Sequence, residues 1–219
     1  MDMGIKCRTA LVCGASQGLG FACAQALARE GVNLVILARR PEPLEQAAAA
    51  LRSNYNADVR TVACDITTTD GQDAALSTCS EPDIIITNAG GPPPGNFRDF
   101  GHDDWLKALN ANMLAPLALI RATLDGMSER GFGRIVNITS TAVKAPVAAL
   151  ALSNGARSGL TGVVAGLARQ VAQHNVTINN LLPGQFDTSR VTKLIEAQAA
   201  SHNIPFDEIK KRQLAAIPA

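Results

Sequence analysis

The sequence predicts an α/β protein: a doubly wound parallel sheet covered by helices on both faces, three layers in all. Three observations carry this expectation. Short β-branched or apolar runs alternate with longer helical patterns along the 219 residues. Those runs are nearly continuously apolar, as strands covered on both sides require. The strand–helix order also repeats, which implies right-handed crossovers and parallel pairing.

Thr9 to Cys13 reads as the first strand, and Gly18 to Glu30 as a helix burying Leu19, Ala22, Cys23, Ala26 and Leu27. Asn33 to Ala38 is the second strand, Pro41 to Ser53 an alanine-rich helix, and Val59 to Ala63 the third strand. Thr69 to Thr78 is a further helix and Asp83 to Thr87 a fourth strand. The run Pro92-Pro93-Pro94 stiffens the loop beyond it. His102 to Arg130 holds one or two helices, Arg134 to Thr139 a fifth strand, Leu150 to Gln173 a long helix, and Thr177 to Leu182 a sixth strand. Residues 185–206 are polar and irregular, with a short helical stretch at Val191 to Ala200, and Asp207 to Ala216 is a last helix.

The length suits one α/β domain over 1–219, with no internal repeat or low-complexity segment to divide it. The formal net charge is +1, so no broad basic field exists to grip nucleic acid. Five cysteines without CxxC spacing and three scattered histidines form neither a disulfide framework nor a metal cluster. No apolar run is long enough to span a membrane, and the expected setting is reducing and cytoplasmic.

Gly14-Ala15-Ser16-Gln17-Gly18-Leu19-Gly20 joins the first strand to the first helix. Gly14 permits a tight turn, while Gly18 and Gly20 let backbone approach a pyrophosphate and the sheet. Exposed amides at the helix start would meet the negative oxygens. With Asp65, Asn88-Ala89-Gly90, Asn112, Ser140 and Pro183-Gly184 at ordered strand ends, the chain resembles the short-chain dehydrogenase/reductase family. It looks closest to the 3-oxoacyl-[acyl-carrier-protein] reductase-like branch. The resemblance runs from Thr9 to Ala219 and implies a Rossmann-like domain with a substrate lid at 185–206. The chain stops at Ile217-Pro218-Ala219, where the family's sheet would return for a final strand. Either a C-terminal portion is lacking, or the sheet ends early and a partner shields its edge.

The second strand ends in Ala38-Arg39-Arg40, with no acid to bind a ribose 2′-hydroxyl. Arg39 stands where the resemblance places a basic group against a 2′-phosphate, and Ser16 adds a hydroxyl; NADP(H) is therefore favoured over NAD(H). The resemblance further implies that Asp65 and the Ile66 amide receive adenine, and that Asn88, Ala89 and Gly90 line the nucleotide. Pro183 and Gly184 would underlie the nicotinamide, with Thr188 bonding its carboxamide or the diphosphate. Gln17 and Leu19 complete the phosphate turn. Cys13 stands where the family more usually has threonine.

Asn112 and Ser140 match the family's catalytic asparagine and serine. The expected Tyr-x-x-x-Lys is Ser153-Asn154-Gly155-Ala156-Arg157 instead, and the single tyrosine, Tyr55, lies elsewhere. Ser153 is a far weaker acid than a phenol, while Arg157 can hold ribose and steady negative charge but not give up a proton readily. Water, Lys144 or His202 would then deliver the proton. Pro116, four residues after Asn112, leaves the Asn112 carbonyl free for a water.

Phe97, Val147, Leu150, Phe186 and Leu194 are candidates for an apolar substrate pocket. Gly155, Gly159, Gly162 and Gly166 form a helical stripe suited to close backbone contact, pointing to a homodimer or homotetramer or to the chain's own sheet. The leading expectation is a hydride-transferring oxidoreductase acting on a small-molecule carbonyl or alcohol, with a 3-oxoacyl thioester as the family guess. The alternatives are a weak or inactive dinucleotide-binding regulatory protein, or a non-redox isomerase or lyase on the same scaffold.

Overall fold

The computed structural model describes residues 2–215, excepting the side chains of Ser189, Arg190, Lys193, Ala197 and His202. Six parallel strands form one sheet in the order β3-β2-β1-β4-β5-β6. They are β1 Thr9–Cys13, β2 Asn33–Ala38, β3 Val59–Ala63, β4 Ile84–Thr87, β5 Gly133–Ile138 and β6 Val176–Leu181. Helices α1 Gly18–Arg29, α2 Pro41–Tyr55, α3 Thr69–Thr78, α4 His102–Leu109, α5 Ala115–Glu129 and α6 Ala151–Val171 make the crossovers. The chain winds outward from β1 to β3, then returns to place β4 against β1 and winds the other way. That reversal opens a crevice at the carboxyl ends of β1 and β4, where ligands bind in sheets of this kind.

The expected doubly wound parallel architecture is therefore the observed one. The strand register shows why continuous apolar runs were needed. Ala10, Val12, Leu34, Ile36, Ile84 and Ile86 enter one core with Leu44 and Leu51 of α2. Their alternates Leu11, Val35, Leu37, Ile85, Ile135 and Ile178 enter the other, with Leu119 and Ile120 of α5 and Leu160 of α6. Every second side chain faces one layer of helices and the rest face the other.

Several local expectations are corrected. Ala22 and Ala26 of α1 are exposed, whereas Gly20, Ala24 and Ala28 are buried. The helix presents its smallest residues to the sheet because a Cβ at Gly20 would stand 2.8 Å from the Cys13 carbonyl oxygen and nearer still to that of Gly14. β5 and β6 begin one residue earlier than expected, and β4 one residue later. Asp83, just before β4, accepts hydrogen bonds from Arg8 Nη1 at 3.0 Å and the Thr9 amide at 2.9 Å. The 102–130 region is one helical run interrupted by a π turn, Asn110–Leu114, closed by the Ala115 amide donating to the Asn110 carbonyl. Pro116 has no amide to give the Asn112 carbonyl, so an ordinary α-helical bond is ruled out there.

The chain forms two compact units that divide after Pro183. In the second, α7 Ser189–His202 and α8 Phe206–Ala215 bury Ile195 and Ile209. The helix expected only at 191–200 thus extends over fourteen residues.

Candidate active site

The β1–α1 turn is shaped by its backbone. Gly14 has φ +60°, and a Cβ there would lie 2.6 Å from Asn88 Nδ2. Asn88 in turn donates to the Gly14 carbonyl at 3.4 Å, tying the end of β4 to that of β1. Gln17, extended at the helix start, makes no capping bond with its side chain. The first amides of α1, from Gly18, Leu19 and Gly20, are thus left for an anion. Cys13 is fully enclosed, and burial pushes its thiol from 9.0 up to about 12. It fills space as a neutral group.

Arg39 and Arg40 are exposed at the end of β2. Across from them, Asp65 Oδ1 accepts from the Thr67 amide at 3.0 Å and the Thr67 hydroxyl at 2.8 Å. Those two bonds, then the positive charge of Arg39, hold the Asp65 carboxyl below the ordinary range. The Ile66 carbonyl accepts from Gln72 Nε2 at 3.1 Å. Ala89 is half-buried beside Asn88, and Gly90 is exposed with no atom within 4 Å of a Cβ built on it. A dinucleotide fits this donor set: a glycine turn without side chains, uncapped amides, a fixed carboxylate and a free-standing guanidinium.

The other half of the crevice is made of side chains. Ser140 follows β5, and its Oγ accepts from the Ala142 amide at 3.1 Å, capping a single 3-10 turn at Thr141–Val143. Its hydroxyl proton is thereby left to donate elsewhere. The Thr141 amide donates to the Pro183 carbonyl at 3.1 Å, joining this turn to the end of the segment after β6. Ser153 and Arg157 lie one helical turn apart on α6, each 8% exposed. The Ser153 hydroxyl makes no hydrogen bond among the described residues. Arg157 Nη1 donates to the carbonyls of Ile138 at 2.7 Å and Thr139 at 2.8 Å, short bonds to the strand end that carries Ser140. Asn112, 4% exposed in the π turn, donates Nδ2 to the Ala108 carbonyl at 3.3 Å while its Oδ1 is buried without a partner. The structure therefore gathers two hydroxyls, one cation and one unsatisfied amide oxygen on adjoining segments.

Other expected residues are distributed differently. Lys144 is exposed at the end of the 141–143 turn. Gly184 and Thr188 belong to the second unit, where Thr188 precedes α7 and its carbonyl accepts from the Thr192 amide at 3.1 Å. The His202 side chain lies outside the described ones. In the first unit Phe97 and Val147 are exposed and Leu150 is half-buried; in the second, Phe186 and Leu194 are exposed. The glycine stripe splits in two. A Cβ at Gly155 would lie 3.0 Å from Trp105 Cζ3 and one at Gly159 2.7 Å from Met113 Sδ, so these two serve packing within the chain. Gly162 and Gly166 face open space.

Two supports escaped the sequence reading. Thr87 Oγ1 donates to Asn137 Oδ1 at 2.7 Å and Asn137 Nδ2 to Asn180 Oδ1 at 3.1 Å, a polar rung across β4, β5 and β6 just below the site. Its signal was a polar residue near the end of each of three apolar strands. Asn110, which opens the π turn, donates Nδ2 to the Thr67 carbonyl at 3.0 Å and so joins that turn to the Asp65 loop. No sequence signal marks that partner. Among the described residues there is no group of three metal-ligating side chains, and no helix is long and apolar enough to cross a membrane.

A family profile described as short chain dehydrogenase matches residues 8–199. D-beta-hydroxybutyrate dehydrogenase of Cupriavidus necator is 30% identical over 210 residues, 93% of this chain and 80% of that protein. Among solved structures, L-sorbose reductase from Gluconobacter frateurii, complexed with NADPH and L-sorbose, superposes with a TM-score of 0.89. It is 28% identical over 95% of this chain and 81% of its own. A variant of actinorhodin polyketide ketoreductase with NADPH gives a TM-score of 0.87 at 29% identity, covering 97% and 83%.

Proposed function

The chain belongs to the short-chain dehydrogenase family, and we propose from that premise that it is an NADP(H)-dependent oxidoreductase of ketones and secondary alcohols. The observation that carries the reading is the cofactor-shaped end of the sheet: an uncapped helix start behind Gly14, with Arg39 acting on the fixed carboxylate of Asp65. Gly14, Ser16, Gln17, Gly18, Leu19 and Gly20 would hold the diphosphate, Arg39 the 2′-phosphate, and Asp65, Ile66, Asn88, Ala89 and Gly90 the adenosine side. Relatives crystallised with NADPH support that choice. When bound, the cofactor supplies the hydride.

The chain's own residues do the rest. Ser140 donates to the substrate oxygen, helped by the polarising bond from the Ala142 amide. Ser153 adds a second donor, and Arg157 contributes positive charge and a ribose contact. The Asn112 carbonyl holds a water that brings the proton from solvent. Family resemblance gives residues 185–206, which include Thr188, the role of a substrate lid. Within the ketone class, family resemblance suggests a 3-oxoacyl thioester. The five free cysteines suit a reducing, cytoplasmic setting.

Calorimetry tests the cofactor assignment. NADPH should bind more tightly than NADH, and Arg39→Ala should weaken NADPH alone, by about 2 kcal/mol for lost charged hydrogen bonds. Equal weakening of both cofactors sinks it. The open face at Gly162 and Gly166, beside exposed Val163, is the proposed seam of a homo-oligomer. Gly162→Trp should lower the mass found by light scattering, and a wild type monomeric in dilute solution removes the seam.

One observation favours a second reading, a dinucleotide-binding protein without turnover. Arg157 is already committed in part to the carbonyls of Ile138 and Thr139. Tight NADPH binding with no hydride transfer across a broad ketone screen would establish that reading instead.

A further inference from the structure

We infer that the site selects carbonyl compounds whose reduced oxygen is weakly basic, namely vicinal dicarbonyls and ketones with electron-withdrawing neighbours. The inference rests on the hydride-transfer reading above. Its ground is the chemistry of the groups gathered by β5, the turn after it, the π turn and α6. Ser140 has a hydroxyl proton to donate, since its oxygen is the acceptor in the bond from Ala142. Ser153 is buried with its hydroxyl unengaged by the described residues, and Arg157 brings a positive charge one turn away. This set steadies an oxyanion.

It does not readily surrender a proton. Aliphatic hydroxyls are far weaker acids than a phenol, whose pKa is about 10, and a guanidinium keeps its protons. The single phenol of the chain, Tyr55, closes α2, where its oxygen accepts from Arg29 Nη2 at 3.3 Å. The titratable groups on elements packed around α6 are His102, Asp103 and Lys107 of α4, Arg121, Asp125 and Glu129 of α5, Lys144 and His174, all exposed, and half-buried Asp104, which is engaged by the Gly101 amide at 3.0 Å.

The consequence follows from the balance of the reaction. The carbonyl carbon receives a hydride with its two electrons from the reduced nicotinamide, which is thereby oxidised. The C=O π pair moves to oxygen. The resulting oxyanion, held by Ser140, Ser153 and Arg157, takes a proton from water, and hydroxide leaves to solvent. A strongly basic alkoxide makes the hydride step uphill unless an acid assists it, whereas a weakly basic one needs little help. A positioned general acid contributes about 100- to 10,000-fold. That factor is what simple ketones lose here and electron-poor ones largely keep.

The test is kcat/KM for acetophenone and its 2-fluoro, 2,2-difluoro and 2,2,2-trifluoro derivatives, referred to unhydrated ketone, at saturating NADPH. These ketones share a shape while the product oxygen grows less basic. Wild type should rise along the series about 100-fold more steeply than Ser153→Tyr/Arg157→Lys, which restores a phenol and its cationic neighbour. Comparison within one series cancels the intrinsic reactivity of each ketone. Equal slopes overturn the inference.

A second arm uses wild type alone, with NADP bound and 4-nitrophenol as an oxyanion probe. Its absorbance should show ionisation at lower pH than in free solution, and Arg157→Gln should reduce that shift by about tenfold in ionisation constant. An unshifted ionisation overturns the inference whether or not the double variant folds. Calorimetry with NADPH alone separates the failures. No NADPH binding removes the hydride-transfer reading and this inference together; NADPH binding with equal slopes removes only this inference.

Discussion

The two ends of the crevice lie on one sheet but are built from different material. Toward β1, β2 and β3, the proposed recognition is written in backbone: the Gly14 turn, the uncapped amides of α1 and the loop locked by Asp65 and Thr67. Toward β5 and α6, it is written in side chains: Ser140, Ser153, Arg157 and Asn112. Backbone amides survive almost any substitution that preserves the path of the chain. A phenol's acidity survives none. The first end has the glycine turn, uncapped amides and fixed carboxylate that the proposed cofactor role asks for, despite cysteine at position 13, whereas the second, in the proposed reading, offers two serines and an arginine in place of a phenol.

That contrast can be broken at either end. The largest effect belongs to Gly20→Val, which drives a side chain into the carbonyls of Cys13 and Gly14. Its expected cost is about 4 kcal/mol of stability, with loss of cofactor binding, measured by urea unfolding and NADPH calorimetry. A variant that folds and binds normally would show that the turn is less constrained than its geometry. Ser140→Ala comes next, at about 3 kcal/mol of transition-state stabilisation with NADPH affinity nearly unchanged. Full turnover in that variant would remove Ser140 from the chemistry.

The smallest effect tests Cys13 as neutral filler. Its folded thiol titrates near 12 rather than 9.0. Unfolded chains therefore lose this proton first, so wild-type stability falls as pH rises through that window. Cys13→Ala should remove that part of the decline, seen as a shallower loss of stability between pH ~8 and ~10. Parallel declines in the two proteins would mean that the thiol ionises as easily folded as unfolded.

The fold was legible because periodicity and burial share one cause. The strands from Ala10 to Ile86 needed apolar side chains on both faces, and the nearly continuous, turn-bounded apolar runs announced it. The glycine turn was equally legible, since Gly14 and Gly20 are demanded by backbone approach. Ala22 and Ala26 were misplaced because alanine suits either face, and only contact with the sheet chose Gly20, Ala24 and Ala28 instead. The extent of α7 was also hidden, since polar residues there mark exposure as readily as irregularity.

Composition and spacing by themselves determined the two-sided burial of the strands, the glycine turn, the arginine at the end of β2 and the absence of tyrosine at position 153. Tertiary structure alone decided where long or ambiguous groups went. It sent Arg157 to the carbonyls of Ile138 and Thr139, set Asn110 on Thr67, and divided the glycines into a packed pair and an open pair. The physical reason is reach. Strand periodicity and glycine turns follow from neighbours along the chain, whereas a guanidinium or an amide finds its partner only after distant segments have been brought together.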